Sequence, residues 1–147
     1  GKLNKNISKI KSYCKNKKNI KIFYNTTNYS TLKIMQNTNF AFGSGGINLS
    51  ERLFLGIPSV AICTASNQKN ALIALKRKKI IHYLGNYKKI NISKIKRCMS
   101  EFLRSKKRYS ILLQKTKRYY KKDNKFNILI KKLNLIIDKK KIYKKYV

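Results

Sequence analysis

The residues with the clearest chemical use lie in one run, Phe42-Gly43-Ser44-Gly45-Gly46-Ile47-Asn48-Leu49-Ser50-Glu51. An apolar stretch enters a glycine cluster that opens directly into a helical pattern. Glycines let backbone N–H groups approach an anion, and a helix N-terminus carries about half a positive charge. Phosphate is the natural guest. The dinucleotide fingerprint G-x-G-x-x-G fails because Asn48 stands at its last glycine, and no Gly-Lys-Ser/Thr follows to make a Walker loop. Glu51 is the sole acid of the first 100 residues. Placed within about the first turn of the helix, its carboxylate suits the dipole and can accept two hydrogen bonds from a ribose diol. The other use open to it is a salt bridge to Arg52 or a nearby Lys.

A second polar cluster, Thr64-Ala65-Ser66-Asn67-Gln68, follows the next apolar stretch. Its amides can contact a diphosphate or sugar hydroxyls, or Asn67 can cap the helix that follows. His82 stands alone beside Ile80, Ile81 and Tyr83 and reads as a packed strand residue. Cys14, Cys63 and Cys98 are odd in number, widely spaced and without a Cys-x-x-Cys pair. They build neither a disulfide framework nor a zinc site and read as the reduced thiols of a cytosolic protein.

These groups need elements to position them. The apolar segments Ile20–Tyr24, Asn39–Gly43, Ser59–Cys63 and Ile80–Tyr83 begin 19, 20 and 21 residues apart. Each is short and rich in Ile, Val, Phe or Tyr, as buried strands are. Helix-like stretches lie between them at Ser30–Asn37, Asn48–Leu55 and Asn67–Lys78, the second closed by Gly56 and Pro58. Crossovers of about 15 residues between short strands carry a helix and give parallel pairing. The expectation is an α/β fold, a Rossmann-like parallel sheet in βαβαβαβ order. Open parallel sheets bind ligands at the carboxyl ends of their strands, where both polar clusters fall.

Beyond Gly85 the pattern turns helical. Ile92, Ile95, Met99, Phe102 and Leu103 form one stripe, with Asn91 or Ser93 as its cap. Tyr109, Leu112, Leu113, Thr116 and Tyr120 form a second, and Phe126, Leu129, Ile130, Leu133, Ile136 and Ile137 a third. Residues 139–147 read as frayed. The expected division is a Rossmann-like domain over 1–86 and a basic helical segment over 87–147. Ile7, Ile10, Tyr13 and Cys14 predict a helix ahead of the first strand. Gly1-Lys2-Leu3-Asn4 carries neither an initiating Met nor a signal-peptide apolar run, and reads as a chain whose N-terminal sequence is missing.

With 37 basic residues, 4 acids and a formal charge of +33, a polyanionic partner is the first inference. The distribution weakens it. Residues 22–75 carry a net of only +2, from Lys33, Arg52 and Lys69 against Glu51, whereas 76–147 carry +23. The basic residues are 31 Lys to 6 Arg, and Lys, Asn, Ile and Tyr, all with A/T-rich codons, fill over half the chain. No helix-turn-helix, zinc-finger or RNP-like motif supports a nucleic-acid module. No run of 18 apolar residues makes a membrane span.

The run NFAFGSGGINLSERLFLGIPSVAICTASNQ resembles the C-terminal domain of the UDP-2,4-diacetamido-2,4,6-trideoxy-β-L-altropyranose hydrolases of pseudaminic acid biosynthesis. Gly45-Gly46, Glu51-Arg52, Leu55-Gly56-Ile57-Pro58-Ser59 and Asn67-Gln68 carry the resemblance, which covers about residues 19–86. A wider group, the family 28 glycosyltransferases, is similar in fold and turn. The resemblance implies the C-terminal lobe of a two-Rossmann (GT-B-type) cytoplasmic enzyme, working without metal or cofactor. Its partners are a UDP-sugar and the chain's own N-terminal domain, which carries the family's catalytic His; His82 does not match it. By resemblance Phe23 and Tyr24 edge the uracil, and Ser44, Gly45, Gly46 and Asn48 meet the diphosphate. Glu51 holds the ribose, and Asn67, as substrate orienter, faces phosphate and sugar with Gln68. Water attack at sugar C1 then releases UDP. A UDP-sugar-dependent transferase and a basic nucleic-acid-binding module remain the alternatives. The chain departs from the family at Ile47, Asn48, Ser50, Ser66 and Asp123-Asn124-Lys125-Phe126.

Overall fold

The computed structural model describes residues 4–122. The third apolar stripe (Phe126 to Ile137), the Asp123–Phe126 run and residues 139–147 lie outside the described residues. Two compact units divide between Asn37 and Thr38, whereas the sequence placed a division at 86/87.

The first unit holds α1 (Ile7–Cys14) and α2 (Asn28–Gln36). Thr27 starts α2, its side chain accepting a hydrogen bond from Ser30 N at 3.2 Å. The expected strand Ile20–Tyr24 does not form: the segment is irregular and ends at Asn25, whose φ is +55°. Among the described residues the segment joins no ladder, and Ile20, Ile22 and Phe23 stay exposed.

The second unit is built on a parallel sheet of three strands, where four were expected. β1 (Ala41–Ser44), β2 (Ser59–Cys63) and β3 (His82–Asn86) lie in that order. Ala41 pairs with Ser59 and Val60 with His82, so all three carboxyl ends lie along one edge. β2 matches the sequence reading. β3 begins two residues later than expected, because Ile80 and Ile81 are spent as buried core side chains leading into it. A register shift opposite Ala61 and Ile62 falls where Gly85 adopts φ +128°.

α3 (Ile47–Phe54) follows β1, and α4 (Lys69–Arg77) follows β2 after a 3-10 turn at Ser66–Gln68. The chain leaves α3 at Gly56, whose φ of +70° a residue with a Cβ would resist, and Pro58 bars continuation. α5 (Ile92–Arg104) starts at Asn91, whose side chain accepts from Lys94 N at 2.9 Å. α6 (Lys106–Lys122) follows at once.

Because β2 is central, both of its faces are covered. Ala61 and Cys63 point into a cluster with Leu49 and Leu53 of α3, Leu72 of α4, Ile80 and Ile81. Val60 points the other way, to Leu84, Cys98, Phe102 and Leu112. From α5 and α6 it is Phe102, Leu112 and Thr116 of the expected stripes that enter the core, with Ile95 packed against it, whereas Ile92 and Leu103 stay exposed. Thr116 is fully buried, its hydroxyl 2.9 Å from the carbonyls of both Ile80 and Leu112, which ties α6 to the approach of β3. No described helix is long and apolar enough to cross a membrane.

One close contact sets the spacing of this layer. A Cβ built on Gly45 would lie 2.5 Å from Leu72 Cδ1 and 2.8 Å from Leu72 Cγ. Gly45→Ala should therefore cost about 1–3 kcal/mol by overpacking. Leu72→Ala leaves a cavity and should cost about 2–5 kcal/mol. In chemical denaturation the double variant should lose less stability than the sum of the two, because each change relieves the other.

Candidate functional site

The glycine turn sits where β1 leaves the sheet. Gly45 N–H donates to Ile62 O at 2.9 Å, so it is spent on the neighbouring strand and is not open to a ligand. Gly46 is the N-cap of α3, in extended backbone with no side-chain cap. The N–H groups of Ile47 and Asn48 lie in the first turn of the helix, where no intrahelical carbonyl exists four residues back. Gly46, Ile47 and Asn48 thus supply the donors, at the positive end of the α3 dipole. Ser44 and Asn48 are exposed, and Ile47 is 80% exposed. The exposed N–H donors at this helix start suit an anion.

The two polar clusters meet at this turn. Gln68 Oε1 accepts from Thr64 N at 3.0 Å and from Thr64 Oγ1 at 3.1 Å. With its oxygen committed, Gln68 turns its amide nitrogen to the glycines: a Cβ on Gly46 would lie 3.6 Å from Nε2. That nitrogen is a donor, in keeping with the backbone N–H groups beside it. Asn67 is exposed on the same loop. It does not cap α4; Gln68 is the N-cap position and makes no side-chain capping bond.

Glu51 lies further along α3 than expected. The helix begins at Ile47, its first turn holds no acid, and Glu51 is the fifth helical residue. The sequence placed it too close to the dipole because Gly46, not a later residue, starts the helix. Glu51 stands one helical step of three or four from Asn48 and Ile47 and shares their face. It is exposed and forms no ion pair among the described residues, so the salt-bridge use is not realised. About 6 Å along the axis separates it from the start of the helix.

Arg52 is the residue that sequence reasoning undervalued. It is 8% exposed, on the buried face with Leu49 and Leu53, and its Nη2 donates to Ser44 O at 2.8 Å. Burial pushes the guanidinium below its ordinary value, and it stays cationic. The signal was present: positions 49, 52 and 53 have the i, i+3, i+4 spacing of an inward face.

Phe23 and Tyr24 belong to the first unit. Phe23 is exposed, and the Tyr24 ring carries Lys11 Nζ 5.4 Å from its centroid. Among the described residues no three His, Cys, Asp or Glu side chains cluster as cation ligands. Cys14, Cys63 and Cys98 are free thiols.

His82 opens β3 at the amino edge of the sheet, away from the glycine turn. Its ring meets Phe102 edge-on at 5.2 Å beside a cavity of about 400 Å³ that Lys76, Lys79 and the Glu101–Arg108 ion pair also line. Burial lowers its pKa, with Glu101 opposing and Arg108 and Lys76 reinforcing the shift. A His depressed in the folded state binds fewer protons than in the unfolded one. Stability should therefore rise with pH up to about 6.5 and fall below it. The melting temperature of His82→Phe should show a shallower slope between about pH 5 and 6.5 than wild type.

Comparison of the chain with protein-family models, with curated proteins and with solved structures finds no match.

Proposed function

We propose that this chain is the nucleotide-sugar-binding half of a UDP-sugar hydrolase, the C-terminal lobe of a two-Rossmann, GT-B-type cytoplasmic enzyme. The observation that carries the reading is the meeting of Gly46 with the Gln68 amide nitrogen at the carboxyl edge of the sheet. Two clusters separated in sequence present donors to the same place, as a diphosphate requires. Glu51, exposed and without an ion pair among the described residues, stands one helical step from Ile47 and Asn48 on the same helix, as the acceptor for the hydroxyls of a ribose attached to that diphosphate. The coincidence of this geometry with the Glu51-Arg52, Gly56-Ile57-Pro58-Ser59 and Asn67-Gln68 resemblance supports a uridine nucleotide as the guest.

In this reading the chain binds and orients, and a further domain supplies the general base for water attack at sugar C1. The N–H groups of Gly46, Ile47 and Asn48 with the Gln68 amide meet the charge that grows on the leaving UDP oxygen. Donors fixed before the reaction stabilise such charge without reorganising. Asn67, on the same loop, orients the sugar. The flanking excess of Lys attracts anions at long range and falls away with salt.

Calorimetry of the chain with UDP and with inorganic pyrophosphate tests the reading. Glu51→Ala should weaken UDP by about tenfold or more while leaving pyrophosphate within about twofold, since only the ribose contact is removed. Equal UDP affinity in wild type and variant would contradict the ribose assignment. RNA binding that persists at physiological salt, with no UDP binding, would overturn the reading altogether.

A further inference from the structure

A buried arginine without a carboxylate is an expensive way to fill the inward face of a short helix. Moving a guanidinium out of water costs several kcal/mol, and an aliphatic residue at the same place would only add to the Leu49 and Leu53 stripe. Neither described carboxylate pairs with Arg52: Glu101 is held by Arg108, and Glu51 lies on the exposed face of α3. Arg52 Nε has no hydrogen-bond partner. What the side chain does make is one charge-assisted bond, Nη2 to Ser44 O at 2.8 Å.

That carbonyl belongs to the peptide whose N–H, on Gly45, donates to Ile62 O. The Ser44–Gly45 peptide is thus held at both of its polar ends, and its plane fixes how the chain enters Gly46, Ile47 and Asn48. Gly43 makes room for the clamp: a Cβ there would lie 2.6 Å from Arg52 Nη1. We propose that Arg52 is the positioning residue of the glycine turn, holding the Ser44–Gly45 peptide so that the following N–H groups converge on an anion, and leaving its own charge uncompensated behind them. The inference deepens the nucleotide-binding reading and rests on it for its ligand, whereas its effect on the turn exists without ligand.

The test uses the full chain and two readouts. Amide NMR resonances and hydrogen exchange of Gly45 to Asn48 are compared in wild type, Arg52→Met, Arg52→Lys and Gly43→Ala, without ligand. Pyrophosphate and UDP titrations follow. Arg52→Met should shift the Gly45–Asn48 amides and speed their exchange, while amides near Leu84 and Phe102 stay put. It should weaken pyrophosphate by about tenfold, and Arg52→Lys, keeping a charge and one donor, should restore it to within about threefold of wild type. Gly43→Ala, which displaces Nη1 and keeps the charge, should move the same amides, and together with Arg52→Lys it decides the case if Arg52→Met does not fold. A folded variant whose Gly45–Asn48 amides are unchanged overturns the inference, whatever UDP does. If wild type binds neither UDP nor pyrophosphate, the nucleotide reading falls, and the ligand-free amides alone decide the role of Arg52.

Discussion

The second unit depends on how one peptide is held, the one joining Ser44 to Gly45 at the end of β1. Its carbonyl is taken by Arg52 from the helix that follows, and its N–H by Ile62 of the neighbouring strand. The Leu72 side chain of α4 fills the space a Cβ on Gly45 would need. Strand, adjacent strand and two helices therefore fix the same few atoms. A turn so constrained costs little entropy to hold when a ligand arrives, because the ordering is done by folding.

The same constraint explains why the charged residues of the site are few. The long-range field of the chain comes from its basic flanks and is screened over about 8–10 Å at moderate salt. In the proposed reading recognition rests on donors at contact distance, which are the backbone N–H groups, the Gln68 amide and the α3 dipole. Among the described residues Arg52 is the buried cation, bonded to Ser44 O, and the acid on α3, Glu51, is exposed and forms no described ion pair.

Much of this was legible in the sequence. Ser59–Cys63 is a central strand, buried except for the half-buried Ile62, and reads as one, being a nearly continuous apolar run. Gly56 and Pro58 stop a helix for local reasons that need no tertiary contact. Ile20–Tyr24 has the same local pattern and is no strand, because β structure needs a partner that the pattern cannot guarantee. Glu51 lies one residue further into its helix than the pattern suggests: the helix starts at Ile47 with Gly46 as its N-cap, where the apolar spacing alone points to Asn48. The inward direction of Arg52 was readable from its spacing with Leu49 and Leu53, but its charge outweighed its position in the reading. The Gln68 orientation was not readable, since it follows from the Thr64 bonds that fold around it.

The most direct measurement of the account is an amide-resolved NMR titration of the chain with UDP. The account predicts saturable shifts that begin at Gly46, Ile47 and Asn48, extend to the Gln68 side-chain amide, and leave the His82 cavity unaffected. Saturable shifts centred on His82, Lys76 and Lys79, or none at any amide of the glycine turn, would contradict it.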